Sequence, residues 1–406
     1  MMMDNVSDLG LSPQALQGIK VIDLSRVLAA PSATQILADF GAQVIKIERP
    51  KVGDETRHWN PPNFEDDNGN MTSAYFATVN RNKQSLTLDI SHPDGQAVIR
   101  KLVKDADVLV ENFKVGNLAK YGLDYDSLKA INPRLIYASL TGFGQTGVDA
   151  HKAGYDYIIQ GISGLMSITG EADGAPQKVG VAVVDLFSGL QLTVGILTAL
   201  YARQQTGRGQ WVDVALFDSA LAMLANVGMN HLATNATPPR LGNAHASIVP
   251  YQVFAALDGH FIIACGNDGQ FERLCQALGQ VWHTDERYAT NPKRVINREL
   301  LIPAMQAVFV SQTRAYWLDL LDDAGVPCGS INTIDEALGT PQARHRGMVH
   351  QFAGSPVKVL GNPIKLSDTP VQYRTAPPLL GADTAQVLAK YLDDQSIETL
   401  KQNGVI

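Results

Sequence analysis

Short β-branched runs alternating with helix-patterned runs in the first third of the chain constrain its fold more than any other feature. Ile19-Lys20-Val21-Ile22-Asp23-Leu24 predicts a strand, residues 32–40 a helix, Gly41 a stop and Val44-Ile45-Lys46-Ile47-Glu48 a second strand. Asp107-Val108-Leu109-Val110-Glu111 and Leu135-Ile136-Tyr137-Ala138-Ser139-Leu140 predict two more. That spacing is what βαβ units and a mostly parallel sheet require. The expected class is α/β, with a large Rossmann-like domain. After about residue 215 the texture changes. Tyr251-Gln252-Val253-Phe254 and Phe261-Ile262-Ile263-Ala264 flank the turn signal Asp258-Gly259, and Ala315-Tyr316-Trp317-Leu318-Asp319-Leu320-Leu321 is helix-patterned. The expected division is 1–215 for the first part of a large α/β domain and 216–330 for a smaller α+β domain. Residues 331–406 are expected to return to the large one.

A length of 406 residues with 45% hydrophobic and 18% charged content allows more than one domain and a large core. The net charge of -7 argues against a nucleic-acid surface. Cys265, Cys275 and Cys328 have no paired spacing, so neither a disulfide framework nor a zinc site is indicated. The N-terminal residues lack an export or organelle pattern, and no apolar stretch free of polar residues reaches membrane-spanning length. A cytoplasmic protein without a membrane partner is expected.

Asp185 stands where the chain is greasiest. Val179-Gly180-Val181-Ala182-Val183-Val184 before it reads as a strand, and residues 186–197 after it as a helix. A carboxylate at that junction is a helix N-cap, a reactive group, or both, because a helix N-terminus also offers N–H groups to developing negative charge. Gly142-Phe143-Gly144-Gln145-Thr146-Gly147 matches a dinucleotide fingerprint, but the polar, glycine-broken stretch after it opens no helix, so a flexible loop is expected. No Walker lysine loop, Gly-x-Ser-x-Gly elbow or His-Glu-x-x-His occurs.

Seven segments in register carry a more specific signal. They are Leu24-Ser25-Arg26-Val27-Leu28-Ala29-Ala30-Pro31, Gly41-Ala42-Gln43-Val44-Ile45-Lys46-Ile47-Glu48-Arg49-Pro50, Val79-Asn80-Arg81-Asn82-Lys83-Gln84-Ser85, Val110-Glu111-Asn112-Phe113, Ala153-Gly154-Tyr155-Asp156, Asp185-Leu186-Phe187-Ser188-Gly189 and Thr206-Gly207-Arg208-Gly209-Gln210. Together they resemble the class III coenzyme A transferases, the family of formyl-CoA and crotonobetainyl-CoA transferase, over nearly the whole chain. Within it, Gly242-Asn243-Ala244-His245-Ala246-Ser247-Ile248-Val249-Pro250-Tyr251 looks most like the enzymes that move CoA from succinyl-CoA to glutarate and similar dicarboxylates.

The resemblance implies a nucleophilic Asp185 and a CoA site formed by Leu28, Ala29, Arg49, Leu88, Asn112, Phe113, Lys114, Lys120, Ala153, Tyr155 and Asp156. Arg49, Lys114 and Lys120 suit the phosphates of CoA. Arg26 and His245 are candidate substrate contacts. Arg26 could equally meet a phosphate or an ion-pair partner, and His245 could be an ordinary hydrogen-bonded loop histidine. The implied activity is transfer of CoA from an acyl-CoA, with succinyl-CoA as donor and a C4–C6 dicarboxylate as acceptor, through aspartyl anhydride and aspartyl-CoA thioester. It implies CoA as co-substrate, no metal or redox cofactor, and two ring-like subunits interlocked as a homodimer. The related α-methylacyl-CoA racemases carry histidine where this chain has Tyr155. A phenol ordinarily ionises near 10 and is a poor base at neutral pH, which favours the transferase. A non-catalytic acyl-CoA binding protein would have no need of Asp185.

Overall fold

A computed structural model describes residues 14–406. Residues 1–13, where the sequence gives no targeting pattern, lie outside the described residues. The chain divides into two compact units, Met1–Ser163 with Gly180–Met223 and Pro341–Ile406, and Gly164–Val179 with Leu224–Thr340.

The first unit is built on six parallel strands: β1 (Lys20–Asp23), β2 (Gln43–Glu48), β3 (Lys83–Thr87), β4 (Val108–Glu111), β5 (Ile136–Thr141) and β6 (Trp211–Ala215). Their order across the sheet is β3-β2-β1-β4-β5-β6. Ile22 stands between Ile45 and Leu109 in the central registers, and all three are buried. Near-continuous apolar runs are what a parallel sheet covered on both faces demands. One face packs α2 (Pro93–Val103) through Val98, Ile99, Leu102 and Val103, together with Val387, Leu388, Ile397 and Leu400 from the C-terminal residues. The C-terminal return is anchored at β3, where Asp383 accepts the Ser85 N–H at 2.8 Å.

The helices α1 (Ala29–Asp39) and α4 (Val183–Thr206) pack on each other, and α4 also meets β5 and β6. Gly189 permits the close approach: a Cβ there would lie 2.1 Å from Ser32 Oγ and 2.4 Å from the Ala29 carbonyl oxygen. Between β5 and α4 lies the short helix α3 (Asp156–Ile162).

Two expectations need correction. The strand expected at residues 179–184 is absent, and α4 begins at Val183. That run is not a member of any sheet, and Asp156 Oδ1 accepts the N–H groups of Val184 and Asp185 at 2.8 and 3.2 Å, which fixes a helix start there. At 24 residues α4 is also long and apolar enough, by length and composition alone, to cross a membrane, although Asp185, Ser188 and Gln191 keep it from being free of polar residues; 44% of its most apolar window is buried inside the protein. Finally, the second unit starts at Leu224, not 216, because the helix Leu216–Met223 packs on α4. It also takes in Gly164–Val179, which Arg240 Nη2 ties down by donating to the Gly174 carbonyl at 2.7 Å.

The second unit carries an antiparallel sheet of β7 (Tyr251–Ala256), β8 (Gly259–Ala264) and β9 (Cys328–Ser330), in the order β9-β8-β7. The β7–β8 hairpin is present as the sequence indicates, its turn at Leu257-Asp258 with Gly259 already paired to Ala256. Phe254, Phe261, Phe309 and Trp317 fill its core, and the three cysteines are free.

Candidate active site

The strand order reverses between β1 and β4, and ligands of open α/β sheets bind in the crevice beyond the carboxyl ends of the strands at such a point. The segments leaving these two strands are joined there. Asn112 Oδ1 accepts the Arg26 N–H at 3.0 Å and Asn112 Nδ2 donates to the Arg26 carbonyl at 2.7 Å. Two cavities open around this joint. One, of about 190 Å³, is lined by Leu28, Ala29, Asn112, Lys114, Tyr155 and Asp185 among others. The second, of about 460 Å³, is lined by Arg49, Leu88, Asp89, Lys120 and Tyr121 among others. Arg26, Glu55 and Phe113 line both.

Asp185 lies within the first turn of α4, and Asp156, from α3, takes the capping bonds that a junction aspartate would have made. Among the described residues the Asp185 carboxylate accepts no hydrogen bond and pairs with no cation. Burial pushes its carboxyl up to about 7, and the neighbouring charge of Asp156 acts in the same direction. The cap reading thus passes from Asp185 to Asp156. Asp156 itself was expected beside CoA but is not among the residues lining the cavity; its second oxygen accepts Gln160 Nε2 at 2.6 Å.

The far wall comes from the loop after β5. A Cβ on Gly142 would lie 2.6 Å from Gly154 Cα, and one on Gly154 would lie 2.5 Å from Gly142 Cα, so the two backbones touch. This contact sets Ala153, Gly154 and Tyr155 beside the end of β5, where all three line the Asp185 cavity. Gly144 and Gly147 take φ of 84° and 96°, and no helix opens before Asp156. The fingerprint-like glycines form a loop, as expected.

A model of CoA-transferase family III matches residues 16–384. The chain belongs to this family. The succinate–glutarate CoA-transferase of Agrobacterium fabrum is 47% identical over 390 residues, covering 95% of this chain and 98% of that protein. The succinyl-CoA:glutarate CoA-transferase of Mus musculus is 41% identical over 402 residues, with 97% and 91% covered. Among solved structures, a CaiB/BaiF family protein from Brucella suis superimposes with a TM-score of 0.84 at 47% identity, covering 94% of this chain and all of that one. The protein is therefore an enzyme of the class III CoA-transferase type, a family that uses CoA as co-substrate.

In this CoA-transferase the residues singled out from sequence line the two cavities, except Asp156 and His245, and Arg26 and Asn112 have further engagements. Arg26 is ion-paired with Glu55 and lies 5.3 Å from the Phe113 ring centroid, so its guanidinium already has partners. Asn112 spends its side chain on the Arg26 backbone while lining the cavity. His245 belongs to the second unit, where its Nδ1 accepts the Ser247 N–H at 3.0 Å, its ring packs on Tyr251, and it lines a cavity of that unit.

The sequence reading missed the charged floor of the larger cavity. Lys46 Nζ lies 2.9 Å from Asp54 Oδ2, and both side chains are fully buried. Behind that lining, Lys83 meets Asp23 at 3.1 Å, and Arg57 grips Glu48 through Nε and Nη2 at 2.8 and 2.7 Å. Burial acts against the charges of Asp23, Asp54 and Glu48, yet the adjacent cations hold all three carboxyls below their ordinary range. A signal was available: Lys46 and Glu48 alternate within an apolar run, and a strand buried on both faces must bury them too. Tyr75 was also missed; burial, with Asp185 and Asp156 as charged neighbours, raises its phenol.

Proposed function

We propose that this enzyme moves CoA from succinyl-CoA to a C4–C6 dicarboxylate such as glutarate, with Asp185 as the covalent nucleophile. The observation that carries this reading is a carboxylate with neither a hydrogen-bond donor nor a cation, set in the wall of a small cavity next to a larger one. The names of the two relatives above support the donor and acceptor. The larger cavity, with Arg49 and Lys120 at its wall, suits the phosphates and nucleoside of CoA, and the residues shared by both cavities give the pantetheine arm a route to Asp185.

The Asp185 carboxylate attacks the thioester carbonyl of succinyl-CoA. The carbon–sulfur bond breaks, leaving an aspartyl–succinyl anhydride and CoA thiolate. The thiolate attacks the aspartyl carbonyl, forms an aspartyl-CoA thioester and releases succinate. Glutarate attacks that thioester to give the mixed anhydride and thiolate, and thiolate attack on the glutaryl carbonyl yields glutaryl-CoA and restores Asp185. Each step exchanges one acyl bond for another, so the thioester's energy is carried through. Backbone N–H groups around the cavity would bind each oxyanion. Water has to be excluded, since hydrolysis of the anhydride would waste that energy. The loop 141–147 is a candidate cover.

A donor-by-acceptor panel read by mass spectrometry of the CoA products tests the assignment. Succinyl-CoA with glutarate is expected to lead, and preference for oxalate or carnitine derivatives would overturn the acceptor. Succinyl-CoA alone is expected to leave a CoA-sized adduct on the peptide holding Asp185, reducible to an alcohol by borohydride.

The enzyme is further proposed to be a homodimer. Leu186, Leu190, Val194, Leu197 and Tyr201 form an exposed apolar stripe along α4, Tyr201 being 64% accessible, and a second copy covering it would remove that surface from water. Sedimentation showing a folded, active monomer on dilution would defeat this.

A further inference from the structure

In dinucleotide-binding sheets the turn after the first strand is made by glycine. Here that turn contains none, and the residue that enters the left-handed region is Val27, with φ of 73°. A β-branched side chain is sterically disfavoured there, so the surroundings must impose the conformation. The constraints are visible. Asp23 Oδ1 accepts the Ser25 N–H at 3.0 Å, Lys46 Nζ donates to the Ser25 carbonyl at 2.8 Å, and Asn112 bonds both backbone groups of Arg26. The Val27 N–H is shared between Asp54 Oδ1 and Oδ2 at 3.3 and 3.2 Å. Asp54 is in turn fixed by Lys46 and by the N–H and hydroxyl of Thr56.

The next residues, Leu28 and Ala29, line the Asp185 cavity, and α1 begins at Ala29. An α-helix leaves its first N–H groups without intrahelical partners, so the conformation of Val27 sets where these donors point. Gly189 lets the same end of α1 press against α4, the helix that carries Asp185.

We propose that the buried Asp54 and Lys46 are positioning residues for acyl transfer: they hold Val27 in its left-handed conformation and thereby aim the opening turn of α1 at the reacting carbonyl. This rests on Asp185 being the nucleophile. Neither side chain is accessible to solvent, so they act through the backbone they hold.

The test is a rescue. Lys46→Met with Asp54→Asn removes the ion pair without stranding a buried charge, and is expected to lower kcat for transfer about tenfold or more, since small misplacements at a reacting centre are costly. Because the pair also lines the larger cavity, the Kd for free CoA is read separately from kcat. Adding Val27→Gly, which takes positive φ without steric penalty, is expected to restore kcat at least about fivefold. A purely structural role for the pair predicts no such recovery. Wild-type kcat in the double variant, or a folded triple variant with no recovery, overturns the proposal. If the double variant does not fold, Asp54→Glu, which keeps the charge on Lys46 but displaces its oxygens, is tested with the same Val27→Gly rescue and the same two outcomes. Wild-type adduct formation on Asp185 is measured alongside. Its absence would count against the nucleophile, whereas its presence with an unaffected Lys46/Asp54 variant counts against the positioning role alone.

Discussion

Carboxylates withdrawn from solvent behave in opposite ways on the two sides of the β1–β4 joint. On the β2 side, Asp23, Glu48 and Asp54 are held below their ordinary range although burial acts against them. On the other side, burial pushes Asp185 and Glu111 up to about 7 each. The difference is a cation within hydrogen-bonding reach. Lys46, Lys83 and Arg57 supply it on one side, while Asp185 has only the like charge of Asp156 nearby, and Glu111 has the Phe113 N–H and the Ser139 hydroxyl but no cation. A fully paired carboxylate is committed to structure. One left unpaired, such as the half-buried Asp185, keeps its basicity for chemistry.

The sharpest way to break this contrast is to neutralise one member of each class. Asp185→Asn is expected to fold and to lose transfer by several orders of magnitude, since a nucleophile acts as an all-or-none member of its site. Near-normal turnover measured by product mass would make Asp185 structural after all. Arg57→Met is expected to cost about 3–5 kcal/mol of stability, because it strands a buried Glu48; equilibrium denaturation measures it. A loss below about 1 kcal/mol would mean that Glu48 is better solvated than its burial indicates.

The acid-side pH response separates the classes again. Asp185 must be ionised to attack, so kcat/KM is expected to fall about tenfold per pH unit below about 7. For stability the signs are opposite. Asp185, with its folded value raised, favours folding below the unfolded value near 4, and that contribution is lost as pH rises through about 7. Asp23, Asp54 and Glu48, with folded values lowered, favour folding above about 4, and that contribution is lost as pH falls through their depressed values. Asp185→Asn is therefore expected to gain stability relative to wild type at pH 8 compared with pH 5, read by thermal melts at both. The smallest effect is expected at the rim. Lys120 is exposed, and Lys120→Met is expected to weaken CoA binding several-fold with kcat unchanged, measured by calorimetry and initial rates.

Much of this was legible in the chain. The strands at β1, β2, β4 and β5 and the β7–β8 hairpin follow from apolar period and turn residues, because those signals are local. β3 and β6 were not found: Lys83-Gln84-Ser85-Leu86-Thr87 and Trp211-Val212-Asp213-Val214-Ala215 mix polar and apolar residues, and their strand character comes from pairing with β2 and β5. The run before Asp185 misled for the converse reason. Its β-branched residues favour a strand, yet it joins none of the sheets, and the capping partner that starts a helix there, Asp156, lies on another helix. Resemblance supplied the lining of both cavities. It gave no sign that Asn112 and Asp54 hold the backbone between Ser25 and Val27, since such bonds depend on side-chain direction, which spacing does not encode.

The touching backbones of Gly142 and Gly154 bear on how this scaffold could be redesigned. Their contact pins both ends of the intervening segment, because either residue with a side chain would force β5 and Tyr155 apart. The stretch between them crosses no such constraint at its exposed middle, around Val148, Lys152 and their neighbours. Loop grafts aimed at a different acceptor therefore have a natural frame: keep both glycines, and vary length and chemistry only between them.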